Sequence, residues 1–224
     1  VLLLQLFQRQ HPGERVMKNG TLFFFGLFGA LALSWGVLVF GSSNQLGAVK
    51  THFDTLDNLS YPQPMPGIMA QGKDVYRSLG CASCHTQQVR RPNYGNDKAR
   101  GFGEHQSVAR DYMLQQLPQL GNSRRGPDLA NFGLRAPAAG IDRGTLLVRL
   151  YTGQGSMPAY PFLFEQRPVI GTPLATALPV ASAPGTQVIP TSQAYALADY
   201  LLGLKQEYVF PEATPVETTE EAGK

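Results

Sequence analysis

The chain has only two cysteines, and a histidine directly follows the second: Cys81-Ala82-Ser83-Cys84-His85. At this spacing two thiols can each bond a haem vinyl group while the adjacent imidazole is held beneath the iron. Other uses of the pair fit less well. A thioredoxin-like dithiol belongs in a βαβ pattern, and none surrounds this one. A structural zinc site needs further Cys or His ligands at close spacing, and His52 and His105 are too scattered to supply them. The motif therefore predicts one covalent haem c, tethered by Cys81 and Cys84, with His85 as the proximal ligand. A fold built around such a group can use it as part of its apolar interior, which suits a chain of 224 residues with 24 Gly and 17 Pro.

A second feature fixes where this domain resides. Residues 22–40, LFFFGLFGALALSWGVLVF, carry no charge, and as a helix they reach about 28 Å, close to the thickness of a bilayer's hydrocarbon core. The run is apolar all round, unlike the helix of a soluble domain. Ala30-Leu31-Ala32 resembles a signal-peptidase site, but it lies inside the run, with Trp35 to Phe40 still to come. An uncleaved signal-anchor helix over 21–42 is the better reading. Arg9, Arg15 and Lys18 precede it and no basic residue follows until Lys50. The positive-inside rule then puts segment 1–20 in the cytoplasm and all that follows the helix in the periplasm of a bacterial inner membrane. Residues 1–16 open apolar and turn basic, and Met17 heads a cleaner segment. They read as an upstream extension or a start placed too early.

Beyond the anchor, 43–67 carries the cluster Pro62-Gln63-Pro64-Met65-Pro66-Gly67 and reads as an extended linker. A haem domain is expected over 68–205. Helical periodicity from Ile68 to Leu79 places Ile68, Val75, Tyr76 and Leu79 on one side, and Gly80 ends that helix and delivers the haem motif. The stretch 86–126 is polar and basic, with a short helix expected from Ser107 to Leu117. Residues 142–151 read as a helix with Leu146, Leu147 and Leu150 inward. No period marks 166–191, which reads as an ordered surface excursion or a partner-binding loop. Ser192 is the expected cap of a helix over 193–205. The acidic tail, 206–224, is expected to be mobile unless a partner holds it. The formal charge of +3 is too small and too dispersed for a nucleic-acid footprint.

The iron's other ligand decides the class of function, since one protein ligand leaves the iron open to gases or peroxide and two make an electron carrier. The candidates are Met65, Met69, Met113, Met157, His52 and His105. Met157 is favoured: it lies well downstream of His85, on a loop, followed by a stiffening Pro158. His105 is its main rival. Pro127 is a candidate for the carbonyl that accepts the His85 Nδ1 proton, with a plain turn proline as the other reading. Arg90 and Arg91, the arginines nearest the motif, are candidates for the haem propionates, and the segment from Gln87 to Arg91 for an interface.

The order helix, Gly-Cys-x-x-Cys-His, Gly-Pro-Asp-Leu, Met-Pro, closing helix resembles class I cytochromes c. The stretches Cys-His-Thr-Gln-Gln-Val-Arg-Arg, Ser-Val-Ala-Arg-Asp-Tyr, Arg-Arg-Gly-Pro-Asp-Leu and Ser-Met-Pro-Ala-Tyr-Pro-Phe-Leu-Phe resemble the monohaem subunit of cbb3-type cytochrome c oxidases. So does Met17-Lys18-Asn19-Gly20 entering a single apolar helix. The resemblance implies a mainly α chain, one membrane helix plus an all-α haem domain with long loops. It implies a role in passing electrons from a dihaem cytochrome c subunit, or a soluble cytochrome c, to a catalytic subunit holding haem b and a haem–copper centre. Cys81 and Cys84 would tether the haem, His85 and Met157 would ligate it, and oxygen chemistry would belong to the partner. A freestanding membrane-tethered electron shuttle, the small subunit of a nitric oxide reductase and a haem-based gas sensor are the alternatives.

Overall fold

The computed structural model describes residues 19–213, which fall into two compact units divided between Val49 and Lys50. Arg9, Arg15 and the other residues up to Lys18, on which the sidedness of the anchor was argued, lie outside the described residues, as does the tail from 214 onward.

The first unit is a continuous helical stretch, Gly20–Gly47, made of α1 (Gly20–Trp35), a π-helical segment (Gly36–Gly41) and α2 (Ser42–Gly47). None of its residues is buried. Leu22, Phe25, Phe28 and Leu33 are all about 70 % exposed, on every side of the helix. A helix of a soluble domain hides an apolar stripe against a core. This one has no polar face to offer water and is long and apolar enough to cross a membrane.

The second unit opens with a hairpin where an extended linker was expected. Strands β1 (His52–Asp54) and β2 (Leu59–Tyr61) pair antiparallel, with His52 opposite Tyr61. The Asp54 and Asp57 carboxylates accept the backbone N–H groups of Leu56 and Leu59 at 2.8 and 2.9 Å, local bonds that tie the turn. Residues 206–213 return across this hairpin. The Tyr208 ring stacks on Tyr61 at 4.5 Å, Phe210 is buried, and Glu212 pairs with Arg110 at 2.6 Å. This part of the tail is packed because Tyr208 and Phe210 supply apolar area that its acidic composition conceals.

Helices α3 (Gly67–Ser78) and α6 (Ser192–Leu202) cross at the centre of the domain. Gly72 makes the crossing possible: a Cβ there would strike the Ala196 carbonyl and come within 2.6 Å of the Tyr200 Cβ. Tyr76 and Tyr200 meet edge-on beside it, both essentially fully buried. The cap of α6 is Thr191, not Ser192; its hydroxyl accepts the Ala194 N–H while also donating to the Leu163 carbonyl. Both residues are good caps, so the sequence alone leaves a one-residue ambiguity. The short α4 (Phe132–Arg135) leads to α5 (Arg143–Thr152), capped by Asp142 and burying Leu146, Leu147 and Leu150 as expected.

Two further stretches differ from expectation. The helix expected from Ser107 to Leu117 is a single 3-10 turn, Ala109–Tyr112, closed at its start by Val108 N–H donating to Asp111. The excursion 166–191 contains a second hairpin, β3 (Phe164–Pro168) with β4 (Thr186–Pro190). Its prolines sit at strand ends, where a missing N–H is tolerated. The connecting loop folds back on the same unit, Leu178 N–H donating to Val188 and Leu174 N–H to the Gln187 side chain. The chain is mainly helical, with these two short hairpins added.

Candidate haem-binding cavity

A cavity of about 650 Å³ opens between α3, α5 and α6, within the size range of cofactor sites. Tyr76 and Leu79 of α3, Leu146 and Leu150 of α5, and Leu197 and Leu201 of α6 give it apolar walls. Cys81, Cys84, His85, Pro127 and Met157 all line it.

Local geometry brings the motif onto one wall. Gly80 ends α3 at φ +69°, a left-handed conformation that costs glycine nothing. Cys81–Ser83 then forms a 3-10 turn, and the His85 N–H donates to the Cys81 carbonyl at 3.0 Å. This single compact turn directs both sulfurs and the imidazole into the same space. No disulfide joins the two cysteines. Burial pushes the Cys81 thiol up to about 11, the opposite of the depressed pKa that makes a dithiol motif redox-active.

The His85 Nδ1 lies 2.8 Å from the Pro127 carbonyl oxygen, so the ring donates its Nδ1 proton there and keeps Nε2 for a ligand bond. Backbone bonds brace the pair on both sides: Gly126 N–H donates to Cys84, and Leu129 N–H to Thr86, at 2.9 and 2.7 Å. Gly126 lies flat on the imidazole. A Cβ at that position would stand 2.6 Å from Nδ1 and 2.8 Å from Nε2, so no other residue lets the backbone pass so close.

Met157 reaches the cavity from a tight turn. Gly153 leaves α5 at φ +74°, Gln154 and Met157 exchange backbone bonds at 3.2 and 3.0 Å, and Tyr160 N–H anchors the turn to Leu150 at 2.8 Å. Of the six candidate ligands, Met157 alone lines the cavity. Met65 and Met69 border a second cavity beside the β1–β2 hairpin, and His52 packs against Tyr208 and Phe210. His105 is partly buried away from the cavity, with its Nε2 unpartnered, and burial lowers its pKa. Met113 follows the 3-10 turn outside the cavity.

Arg90 and Arg91 do not line the cavity. Both are exposed, and the Arg91 guanidinium covers the Tyr94 ring at 4.1 Å. Gln87 between them and the motif is buried, and its side-chain oxygen accepts the Tyr200 hydroxyl at 2.9 Å. The cationic side chains at the cavity are Arg125 and Arg149. Arg125 lies two residues before Pro127 in the stretch Arg-Arg-Gly-Pro-Asp-Leu, and that position is the signal the sequence carries for it. One polar atom on the wall is unsatisfied. The Tyr76 hydroxyl faces the Gln87 side chain without closing a hydrogen bond, and burial raises its pKa above the ordinary phenol value.

These features fit a covalently held haem: a wall of two thiols, an imidazole with a fixed tautomer, a glycine cradle against the ring, a thioether on the same cavity and cations at its margin. The family model for the cytochrome c oxidase mono-haem subunit, FixO, matches residues 31–183, about two thirds of the chain. The matched span includes Cys81, Cys84, His85, Pro127 and Met157. No curated protein matches the chain.

Proposed function

The chain belongs to the family of cytochrome c oxidase mono-haem subunits, FixO, and from that premise we propose that it is the membrane-anchored electron-transfer subunit of a cbb3-type oxidase. In this reading it accepts electrons from a dihaem cytochrome c subunit or a soluble cytochrome c and passes them to a catalytic subunit carrying haem b and copper. The observation that carries it is the pairing of His85 with Met157, and with none of the other candidates, on one cavity. Two protein ligands close an iron to oxygen and suit it to carrying electrons.

A haem held here supplies a one-electron couple at its iron. The protein does the rest. Cys81 and Cys84 would hold the group as thioethers, so that its retention would not depend on affinity alone. His85 presents Nε2, its tautomer fixed by Pro127. Met157 supplies a thioether, which favours reduced iron and raises the potential relative to a second imidazole. Arg125 and Arg149, which line the cavity, would pair with the propionates. The leucines of α5 and α6 that line the cavity would exclude water from a haem held there. The helix Gly20–Gly47 anchors the subunit, with its N-terminus in the cytoplasm and the haem domain in the periplasm of the inner membrane.

The test is to tag the chain, extract membranes with mild detergent and record reduced-minus-oxidised spectra and oxygen uptake of the purified complex. Haem b bands and copper alongside haem c, with oxygen consumption, support the proposal. Haem c alone, with no larger partner, would replace it with a tethered shuttle. Nitric oxide turnover without copper would replace it with a nitric oxide reductase subunit.

A further inference from the structure

The His85–Pro127 bond is flanked by a second connection between the same two segments. Thr86 follows His85 and Asp128 follows Pro127, and these neighbours are also bonded to each other. The Asp128 side chain is completely buried. Its Oδ2 accepts the Thr86 hydroxyl at 2.5 Å and the Gln88 N–H at 2.9 Å, and its Oδ1 accepts the Ala130 N–H at 2.9 Å. One carboxylate thus fastens the backbone just after the haem motif to the backbone just after Pro127.

Arg124 backs this staple from the other side. Its Nε donates to the Thr86 hydroxyl at 2.8 Å, one Nη donates to the Gln88 carbonyl at 2.5 Å and lies 3.5 Å from Asp128, and the other pairs with Asp97. Asp97, itself buried, accepts the Arg90 N–H at 2.7 Å. Arg135 donates to the Asp128 backbone carbonyl, one residue beyond Pro127. Two carboxylates and a guanidinium out of water are costly unless geometry and hydrogen bonding are good. Here they are concentrated on the few backbone atoms whose displacement would lengthen the bond to His85.

We propose that Asp128, held by Arg124 and Thr86, is a positioning residue that sets the Pro127 carbonyl against the His85 imidazole and thereby lowers the electron affinity of the iron. This rests on the reading of the cavity as a haem c site. A firm Nδ1–H···O=C bond makes the imidazole a stronger donor and favours oxidised iron. Loosening the staple weakens that bond and favours reduced iron.

The experiment is an equilibrium redox titration of the haem c band in the full chain within its membrane complex, with haem content per chain measured in parallel. The variants are Asp128→Asn, which keeps the shape and removes the charge, and Thr86→Val, which removes the bridging hydroxyl and leaves every charge in place. The expected result is full haem content and a higher midpoint in both. At fixed ambient potential the reduced-to-oxidised ratio should rise about tenfold in D128N, or 59 mV for a one-electron couple, and less in T86V. An unchanged midpoint in both variants overturns the proposal. A rise in D128N with none in T86V also overturns it, because Asp128 would then act by charge alone. If D128N does not retain haem, T86V decides alone by the same criterion. Absence of haem c from the wild-type chain would be a different failure, that of the haem reading itself.

Discussion

The Nδ1–H of His85 donates to the carbonyl of Pro127 across 2.8 Å, and Gly126 makes that approach possible by lying against the face of the same ring. Two segments far apart in sequence are thus held at hydrogen-bond distance by a residue with no side chain. Gly126→Ala should force the imidazole or the 125–127 backbone aside. Overpacking of this kind costs about 1–3 kcal/mol. The expected outcome is reduced haem content per chain and a shifted absorption spectrum in whatever holo-protein forms, checked by pyridine haemochrome assay and optical spectroscopy.

Met157 is the candidate ligand that shares the cavity with His85. Met157→Ala should open the iron, so that carbon monoxide perturbs the reduced haem c spectrum of the variant and leaves that of the wild type unchanged. Met157→His should keep a closed iron at a lower midpoint, because a second imidazole favours the oxidised state. Equal carbon monoxide response in wild type and M157A would remove Met157 from the coordination sphere.

The candidate site was readable from the sequence because its residues sit in short local patterns: Cys81, Cys84 and His85 in one turn, and Met157 on a separate glycine-flanked loop, all lining one cavity. Long amphipathic or wholly apolar runs were readable for a similar reason, as α3, α5, α6 and the helix Gly20–Gly47 show. What was hidden depends on contacts distant in sequence. The β1–β2 hairpin is held by Tyr208 and Phe210, about 150 residues later. The excursion after Phe164 is short strands whose alternation is masked by proline. Arg90 and Arg91 follow the motif closely in sequence but do not line the cavity, whereas Arg125 and Arg149, from other segments, do.

The arginines at the cavity carry an electrostatic prediction. Positive charge near the iron favours its reduced state. Arg125→Gln and Arg149→Gln should each lower the haem midpoint, by on the order of 1 kcal/mol per charge at an effective dielectric constant near 20. The double variant R90Q/R91Q should move it much less. Redox titration distinguishes the two pairs, and a larger shift in the second would favour Arg90 and Arg91 as the propionate partners.

The α3–α6 crossing depends on Gly72, where a Cβ has no room. Gly72→Ala should lower stability by about 1–3 kcal/mol despite the better helix propensity of alanine. For a domain of this size each kcal/mol lowers Tm by about 2–4 °C. Thermal unfolding followed by circular dichroism checks this. An unchanged Tm would mean that the helices separate at no cost.

Asp111 gives a pH dependence. Burial pushes its carboxyl up from 3.8 to about 6, against the lowering effect of the Val108 N–H it accepts. The native state therefore holds this proton more tightly than the unfolded chain does. Between pH 3.8 and about 6 the unfolded state binds fewer protons, so stability falls as pH rises through that window, and the penalty is complete above it. Its size is on the order of 2–3 kcal/mol. Asp111→Asn, which keeps an oxygen for Val108, should raise Tm at pH 8 and leave it nearly unchanged at pH 4. The reverse pattern would place a stabilising charge at this position.

The most direct test of a covalent haem c on this chain is whether haem stays with it after denaturation. The wild-type protein and the Cys81→Ala/Cys84→Ala variant would be expressed in cells competent for cytochrome c maturation, run on a denaturing gel and stained for haem peroxidase activity, with intact-mass measurement of the same bands. The expected result is one haem on the wild-type chain and none on the variant. Haem that extracts freely from the wild type, or that remains on the variant, would contradict it.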